Sequence, residues 1–188
     1  MAAPLSLRFS HVGVFCVNIQ SLVDFYTRYL GFVITDRGDL RDTELCFLSR
    51  DPAEHHQLVL VSGRPDGLAN RSINQISFRI DSLSALQSFF MDLPLALISD
   101  LYPVNHGISW SIYFRDPEGN RLEIFADTEW YIDQPIKEAL DLTLTETEIR
   151  AQTHAFCIKQ PGFRPLVEWR RDLAAKIEQS LQRAPAGD

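Results

Sequence analysis

Residues 104–125 read VNHGISWSIYFRDPEGNRLEIF, and in them His106, Tyr113 and Glu123 surround a tight Asp-Pro-Glu-Gly turn. Packing alone would ask only for apolar side chains here. An imidazole can move protons near neutral pH, a phenol can donate or accept a hydrogen bond, and a carboxylate can ligate a divalent cation. Elsewhere the chain carries His11, the adjacent pair His55-His56, and Gln75. An imidazole nitrogen (His11), an amide oxygen (Gln75) and a carboxylate (Glu123) on one face, with open positions left over, suit a divalent metal. A lone inward histidine is more often a hydrogen-bonded core residue, so the case depends on whether the fold gathers these groups.

The elements that must position them come from an internal repeat. HVGVFCVNIQSLVDFYTRYLGF, from His11, answers QISFRIDSLSALQSFFMDLPLA, from Gln75, at an offset of 64 (75 − 11). Each copy reads as an alternating strand followed by a helix with apolar residues at helical spacing. The copies also end alike, RDPAEHHQLVLV from Arg50 and RDPEGNRLEIF from Arg115. The expected fold is therefore α+β: two tandem βαβββ modules, about residues 8–63 and 73–126, forming a curved mixed sheet around a concave site. Asp66-Gly67 and Asn70 mark the linker. Residues 1–126 make one domain and residues 127–188 a C-terminal helical extension. Thr145 and Glu148 stand at capping-box spacing, and Pro161-Gly162 ends that helix. A second helix carries Leu166, Trp169, Leu173, Ile177 and Leu181 as an apolar stripe that packs on the core or on a second subunit.

Strand alternation sorts the faces. Trp110, Ile112 and Phe114 face the helices, and so do Leu122 and Ile124. Tyr113 and Glu123 then oppose each other on the concave face. His11, Gly13 and Phe15, and Gln75, Ser77 and Arg79, face the same way. The repeat gives four corresponding corners, His11, Val59, Gln75 and Glu123, of which three can bind a metal. Phe9, Phe15, Trp110, Trp130 and Tyr131 are candidates for an apolar pocket.

Composition narrows the class. The formal charge of −7 and the pI near 5.2 argue against a nucleic-acid binder. No apolar run approaches the length that spans a bilayer, and the N-terminus lacks a secretory pattern, so a cytoplasmic location is expected. Three cysteines without a CxxC pair read as reduced thiols.

The paired modules and the VNHGISWSIYFRDPEGNRLE stretch resemble the vicinal oxygen chelate superfamily, and within it the type I extradiol ring-cleaving dioxygenases. The resemblance covers about residues 8–126. It implies His11 and Glu123 as metal ligands, with Gln75 where the dioxygenases keep a second histidine. It implies His106 and Tyr113 as substrate-orienting groups, and a catalytic histidine in the His55-His56 pair. Strand parity favours His55 facing inward, whereas the resemblance favours His56. The activity implied is cleavage of a catechol-type aromatic diol with O₂ by Fe(II), with Mn(II), Zn(II) or Ni(II) as alternative metals. The partners implied are a small aromatic substrate, O₂ and a second copy of the chain, with no nucleic acid and no membrane. Two other readings stay open. One is a non-redox glyoxalase-like lyase or isomerase acting through an enediolate, which Gln75 favours and Val59 opposes. The other is a resistance-type protein that only binds a small molecule.

Overall fold

The computed structural model describes residues 9–64 and 73–183; the linker read at Asp66-Gly67 and Asn70 lies outside them. The first module runs β1 (Val12–Cys16), α1 (Ile19–Arg28), β2 (Val33–Leu40), β3 (Thr43–Ser49) and β4 (Leu58–Ser62). The second runs β5 (Ile76–Arg79), α2 (Leu83–Met91), β6 (Ser99–Asn105), β7 (Ser109–Arg115) and β8 (Arg121–Asp127). The extension adds β9 (Trp130–Tyr131), β10 (Glu138–Ala139), α3 (Glu146–Cys157), β11 (Arg164–Pro165) and α4 (Leu166–Arg183). The expected βαβββ order is present twice. The strands divide into two mixed sheets, β1-β4-β3-β2 and β10-β6-β7-β8-β5, beside a small β11-β9 ribbon.

The duplication extends to strand register. β1 runs parallel to β4 with Val12 opposite Leu58, and β5 runs parallel to β8 with Ile76 opposite Leu122. Both members of the pair are displaced by the same 64 residues (76 − 12 and 122 − 58). Alternation then sends Val14, Cys16, Leu58 and Leu60 into the core in one module, and Leu122, Ile124, Ile112 and Phe114 in the other. Burying each large apolar side chain contributes about 1.5–3 kcal/mol. Asn18 and Ser82 cap the two core helices, accepting from the amides of Ser21 and Ala85.

The second Arg-Asp-Pro turn anchors the modules to each other. Asp116, 2% exposed, accepts from the amides of Glu118 and Asn120, both at 2.9 Å, and from the Tyr26 hydroxyl of α1 at 3.4 Å. Glu118 accepts from the amides of Val17 at 2.9 Å and Asn18 at 2.6 Å, just before α1. A carboxylate there also suits the positive end of the helix. Aromatic edges complete the joint, Phe25 against Phe114 and Phe32 against Phe78.

The extension is built as its sequence suggests at α3, where Thr145 and Glu148 form both halves of the capping box. At α4 the apolar stripe packs only in part. Leu166 is buried and Trp169 stacks on Tyr131 at 4.8 Å, but Leu173 is 38% exposed. The side chains of Ile177 and Leu181 lie outside the described residues. All three cysteines are free and buried. Among the described residues no helix is long and apolar enough to cross a membrane.

Thr153 of α3 ties the extension to the second sheet. Its hydroxyl accepts from Asn105 Nδ2 at 2.9 Å and from Trp110 Nε1 at 2.8 Å, all buried. Thr153→Val keeps the shape and orphans two donors, each costing about 1–3 kcal/mol. Equilibrium urea unfolding should show a loss of roughly 2–6 kcal/mol with an unchanged m-value. A loss below about 0.5 kcal/mol would mean that the extension is not anchored there.

Candidate functional site

The concave face of the second sheet gathers its polar groups on one carboxylate. Glu123, 8% exposed, lies directly opposite Ser77 on β5 and Tyr113 on β7. Its Oε1 accepts from the Tyr113 hydroxyl at 2.6 Å. Its Oε2 accepts from Ser77 Oγ at 2.5 Å and from Gln75 Nε2 at 2.9 Å. Gln75 Nε2 also donates to Ser77 Oγ at 3.0 Å. With its nitrogen engaged twice, Gln75 keeps its carbonyl oxygen for another partner. Burial, and then Glu123, push the Tyr113 phenol above its ordinary value, so it holds its proton at neutral pH.

The chain of hydrogen bonds continues outward through His106, whose Nε2 lies 3.0 Å from the Tyr113 hydroxyl. Its Nδ1 lies 2.5 Å from the carbonyl oxygen of Ile136. A carbonyl can only accept, so Nδ1 carries the hydrogen and Nε2 faces the phenol. The hydroxyl of Tyr113 has one proton and two acceptors, Glu123 Oε1 and His106 Nε2. A second proton on His106 would satisfy both bonds. The triad is thus a continuous chain of hydrogen-bonding groups from His106 to Glu123.

The extension holds this histidine in place. Gln134 Nε2 donates to the His106 carbonyl at 2.9 Å, and Thr128 Oγ1 donates to the Gly107 carbonyl at 2.6 Å. Gly107 has a φ of 76°, and Asn105 Oδ1 accepts from its amide at 2.8 Å.

The first module contributes a histidine cluster. His11, just before β1, meets His56 with ring centroids 4.2 Å apart. His55 instead turns to Asp36 of β2, with Nε2 and Oδ2 2.8 Å apart, and its Nδ1 lies 3.0 Å from that of His56. Of the adjacent pair, His56 is therefore the one that reaches His11. The bend before β4 takes His55 out of the parity that would have turned it inward. Desolvation, and then the neighbouring His11 and His55, hold the His56 pKa below 6.5, which favours the neutral imidazole at neutral pH.

Two further groups of sequence candidates fall out differently. Trp110 is fully buried against the helices, Trp130 packs beside His154, and Tyr131 stacks on Trp169. None of these three lines the concavity; they join the extension to the sheet. Phe9 and Phe15 are exposed. Conversely Tyr102 on β6, which the sequence did not mark, stacks on Tyr113 at 5.2 Å. A bulge between Ser99 and Tyr102, with Asp100 in the left-handed region, sets that pairing. Asp36 and the Ile136 carbonyl were likewise unmarked.

Among the described residues no three His, Cys, Asp or Glu side chains cluster as a metal site. A metal here would rely on an amide donor. The oxygen of Gln75, the imidazole of His11 and the carboxylate of Glu123 suit a divalent ion in donor type, but the contacts seen among the described residues join Gln75 to Glu123 and His11 to His56, not His11 to the other two.

The model of the Glyoxalase/Bleomycin resistance protein/Dioxygenase superfamily matches residues 8–124. The chain belongs to that superfamily. Over 125 residues it is 28% identical to biphenyl-2,3-diol 1,2-dioxygenase 2 of Rhodococcus globerulus. That alignment takes in 64% of this chain and 63% of the relative, so the chain spans just under two thirds of the relative's length. Among solved structures, a glyoxylase/bleomycin resistance protein/dioxygenase domain from Frankia sp. EAN1pec superposes with a TM-score of 0.55 at 23% identity. It covers 66% of this chain and 94% of the other. The fosfomycin resistance protein FosX of Listeria monocytogenes, complexed with Mn(II) and sulfate, gives 0.52 at 18% identity, covering 66% and 95%. These superpositions establish the shared fold. The matched region ends before the extension that holds His106.

Gly107 tests that attachment. A Cβ there would stand 2.3 Å from Ile132 Cδ1 and 2.9 Å from its Cγ1, on a backbone that disfavours side chains. Gly107→Ala should cost about 1–3 kcal/mol from the backbone alone, read by thermal or urea unfolding. Gly38→Ala, where nothing lies within 4 Å, should stay within about 0.5 kcal/mol of the parent. Equal effects of the two substitutions would show that the His106–Gly107 turn is not held against the extension.

Proposed function

We propose that this protein is a metal-dependent dioxygenase that opens the ring of a catechol-type aromatic diol with O₂. The observation that carries the reading is the chain that runs from His106 through the Tyr113 hydroxyl to the buried Glu123 carboxylate, whose other oxygen takes Gln75 and Ser77. Apolar side chains would have met the packing demand at these positions, so a phenol, an imidazole and an amide linked to a carboxylate there support a chemical role. The relative that acts on a biphenyl diol lends the substrate class.

In this reading His11, Gln75 and Glu123 hold the metal, most simply Fe(II). When bound, it supplies Lewis acidity and, as Fe(II), one-electron chemistry with O₂. The chain's own residues do the rest. His56, favoured in its neutral form and beside His11, accepts a proton from a diol hydroxyl. Tyr113 keeps its proton and orients the substrate oxygen through its hydroxyl. His106 Nε2 holds that hydroxyl in place, while the Ile136 carbonyl keeps the ring from turning. Holding diol, proton acceptor and proton donor together removes the entropic barrier of their separate encounter. Both atoms of O₂ end in the ring-opened product, so no further reductant enters.

A non-redox lyase or isomerase is the second reading, and the amide of Gln75 is the observation that favours it. Val59, opposite Gly13 in the first module, supplies no second carboxylate for such chemistry. Oxygen uptake with a panel of catechols by Fe(II)-loaded protein separates the two. Consumption of O₂ with ring opening is expected, whereas turnover of an α-hydroxy-thioester precursor without O₂ would replace the dioxygenase by the lyase.

The ligand set makes its own prediction. Gln75→Ala should weaken metal binding by at least about 10–100-fold, the loss typical of groups that only support a ligand. Gln75→His should restore or tighten it. Anaerobic metal titration reads both, and full affinity in Gln75→Ala would remove Gln75 from the site. With the metal retained, His106→Ala and Tyr113→Phe should each slow turnover by roughly 10²–10⁴-fold. Unchanged oxygen consumption in both would return them to structural roles.

A further inference from the structure

A neutral imidazole ligates a cation or takes a proton only through the ring nitrogen that carries no hydrogen. The tautomer of His11 and His56 therefore decides whether either can act. The Val12 amide that opens β1 donates to the Gln57 carbonyl at 3.1 Å, which brings His11 alongside His56. The two rings stand 4.2 Å apart, and Phe47 of β3 meets the His56 ring edge-on at 5.1 Å. Around them lie two carboxylates that the proposed reaction does not use, Asp36 of β2 and Glu54 of the turn before β4.

The hydrogen positions follow from these carboxylates. Asp36 Oδ2 can only accept, so His55 Nε2, 2.8 Å away, carries a hydrogen. In the neutral ring His55 Nδ1 is then bare and can only accept. The atom 3.0 Å from it is His56 Nδ1, which must donate. His56 is left with its lone pair on Nε2. A separate path reaches His11. Ser10 Oγ gives its one hydrogen to Glu54 Oε2 at 3.0 Å, so it can only accept from His11 Nδ1 at 3.3 Å. His11 too is left with a bare Nε2. At His106 the Ile136 carbonyl imposes the same form. Three different acceptors thus select one tautomer at three histidines. By contrast, the His154 ring has only aromatic contacts among the described residues, with Trp130 and Phe163.

We propose that Asp36 and Glu54 are positioning residues. Asp36 acts through His55 and Glu54 through Ser10, and they fix His56 and His11 as Nδ1–H tautomers that present both Nε2 lone pairs. The inference rests on the roles given above to these two rings and adds the groups that prepare them. A bare Nε2 is what His11 needs to ligate a cation and what His56 needs to take a proton from a diol hydroxyl. A hydrogen on Nε2 would block either role. Neither carboxylate has to touch metal or substrate. The Asp36 and His55 side chains are 68% and 56% exposed, and a pair so exposed adds little to stability. Its effect is on where the hydrogen sits.

Long-range ¹H–¹⁵N spectra of the full chain, labelled in histidine and free of metal, read each tautomer directly. They are taken at about pH 8.5, some two units above the ordinary histidine value. His11 and His56 should carry hydrogen on Nδ1, and His154 on Nε2, the form a free imidazole side chain prefers in water. Asp36→Ala should move His56 to the Nε2–H form and leave His11 as it was, and Glu54→Ala should do the reverse. Asp36→Asn keeps an acceptor for His55 and should keep most of the Nδ1–H form at His56. His55→Phe and Ser10→Ala break the same two paths and carry the test if a carboxylate variant fails to fold. An Nε2–H form of His56 in wild type, or a tautomer unmoved by Asp36→Ala, overturns the role of Asp36. The same results at His11 with Glu54→Ala overturn that of Glu54. Anaerobic metal titration should show Glu54→Ala binding about tenfold more weakly than wild type, with Asp36→Ala unchanged. In Asp36→Ala, kcat with a diol should fall in proportion to the lost Nδ1–H fraction, at constant KM. Because the tautomers are read without metal or substrate, the two readings fail separately. Tautomers placed as stated, with no O₂ uptake from any diol, leave both positioning residues standing and remove the dioxygenase. O₂ uptake by a protein whose His56 carries its hydrogen on Nε2 keeps the dioxygenase and removes the role of Asp36.

Discussion

A carboxylate buried on the inner face of a sheet must be given donors, and Glu123 takes them from two neighbouring strands at once. Ser77 and Gln75 reach it from the β5 side and Tyr113 from β7. Those contacts exist only because both strands hold one register, with Ser77 and Tyr113 each directly opposite Glu123. A slip by one residue would turn Glu123 into the layer of Leu122 and Ile124 and strand it among apolar side chains. Core and site are thus two faces of a single register. The apolar face makes the register favourable, and the polar face makes any alternative costly.

The duplication explains why the polar face is one-sided. In the first module the position of Glu123 is Val59, that of Ser77 is Gly13, and that of Gln75 is His11. The first module therefore brings no buried charge, only imidazoles. His11 and His56 can stay near solvent because they lack a buried carboxylate to satisfy. Chemistry that uses both halves then depends on the joint between them. The buried Asp116 and the paired Glu118 fix it by binding α1 and the end of β1 from the second module's turn.

Much of this was legible from local pattern. The repeat, the strand faces of both modules, the pairing of Tyr113 with Glu123 and the capping box at Thr145 all follow from periodicities that survive in sequence. What sequence could not give were features set by irregular backbone or by main-chain atoms. The bulge that aligns Tyr102 with Tyr113 depends on Asp100 entering the left-handed region, which no residue type demanded. The partner of His106 Nδ1 is a carbonyl, and carbonyls are the same at every position. His55 and His56 precede β4 in a bend, where strand alternation no longer decides which ring turns inward. Trp110, Trp130 and Tyr131 looked like pocket walls because aromatic character does not reveal which surface a ring will cover.

The position of the extension gives the site a division of labour. Residues 8–124, the region shared with the superfamily, fix Glu123 and Tyr113 by strand pairing. His106 stands within that region, yet its ring and its turn are held largely from outside it, by Gln134, Ile136 and Thr128. Behind them α3 is bonded to the same turn's neighbours, Asn105 and Trp110, through Thr153. A substitution in the extension can therefore alter how His106 faces Tyr113 without disturbing the carboxylate. The shared fold holds the carboxylate by strand pairing, and the added segment holds the imidazole that is linked to it through Tyr113.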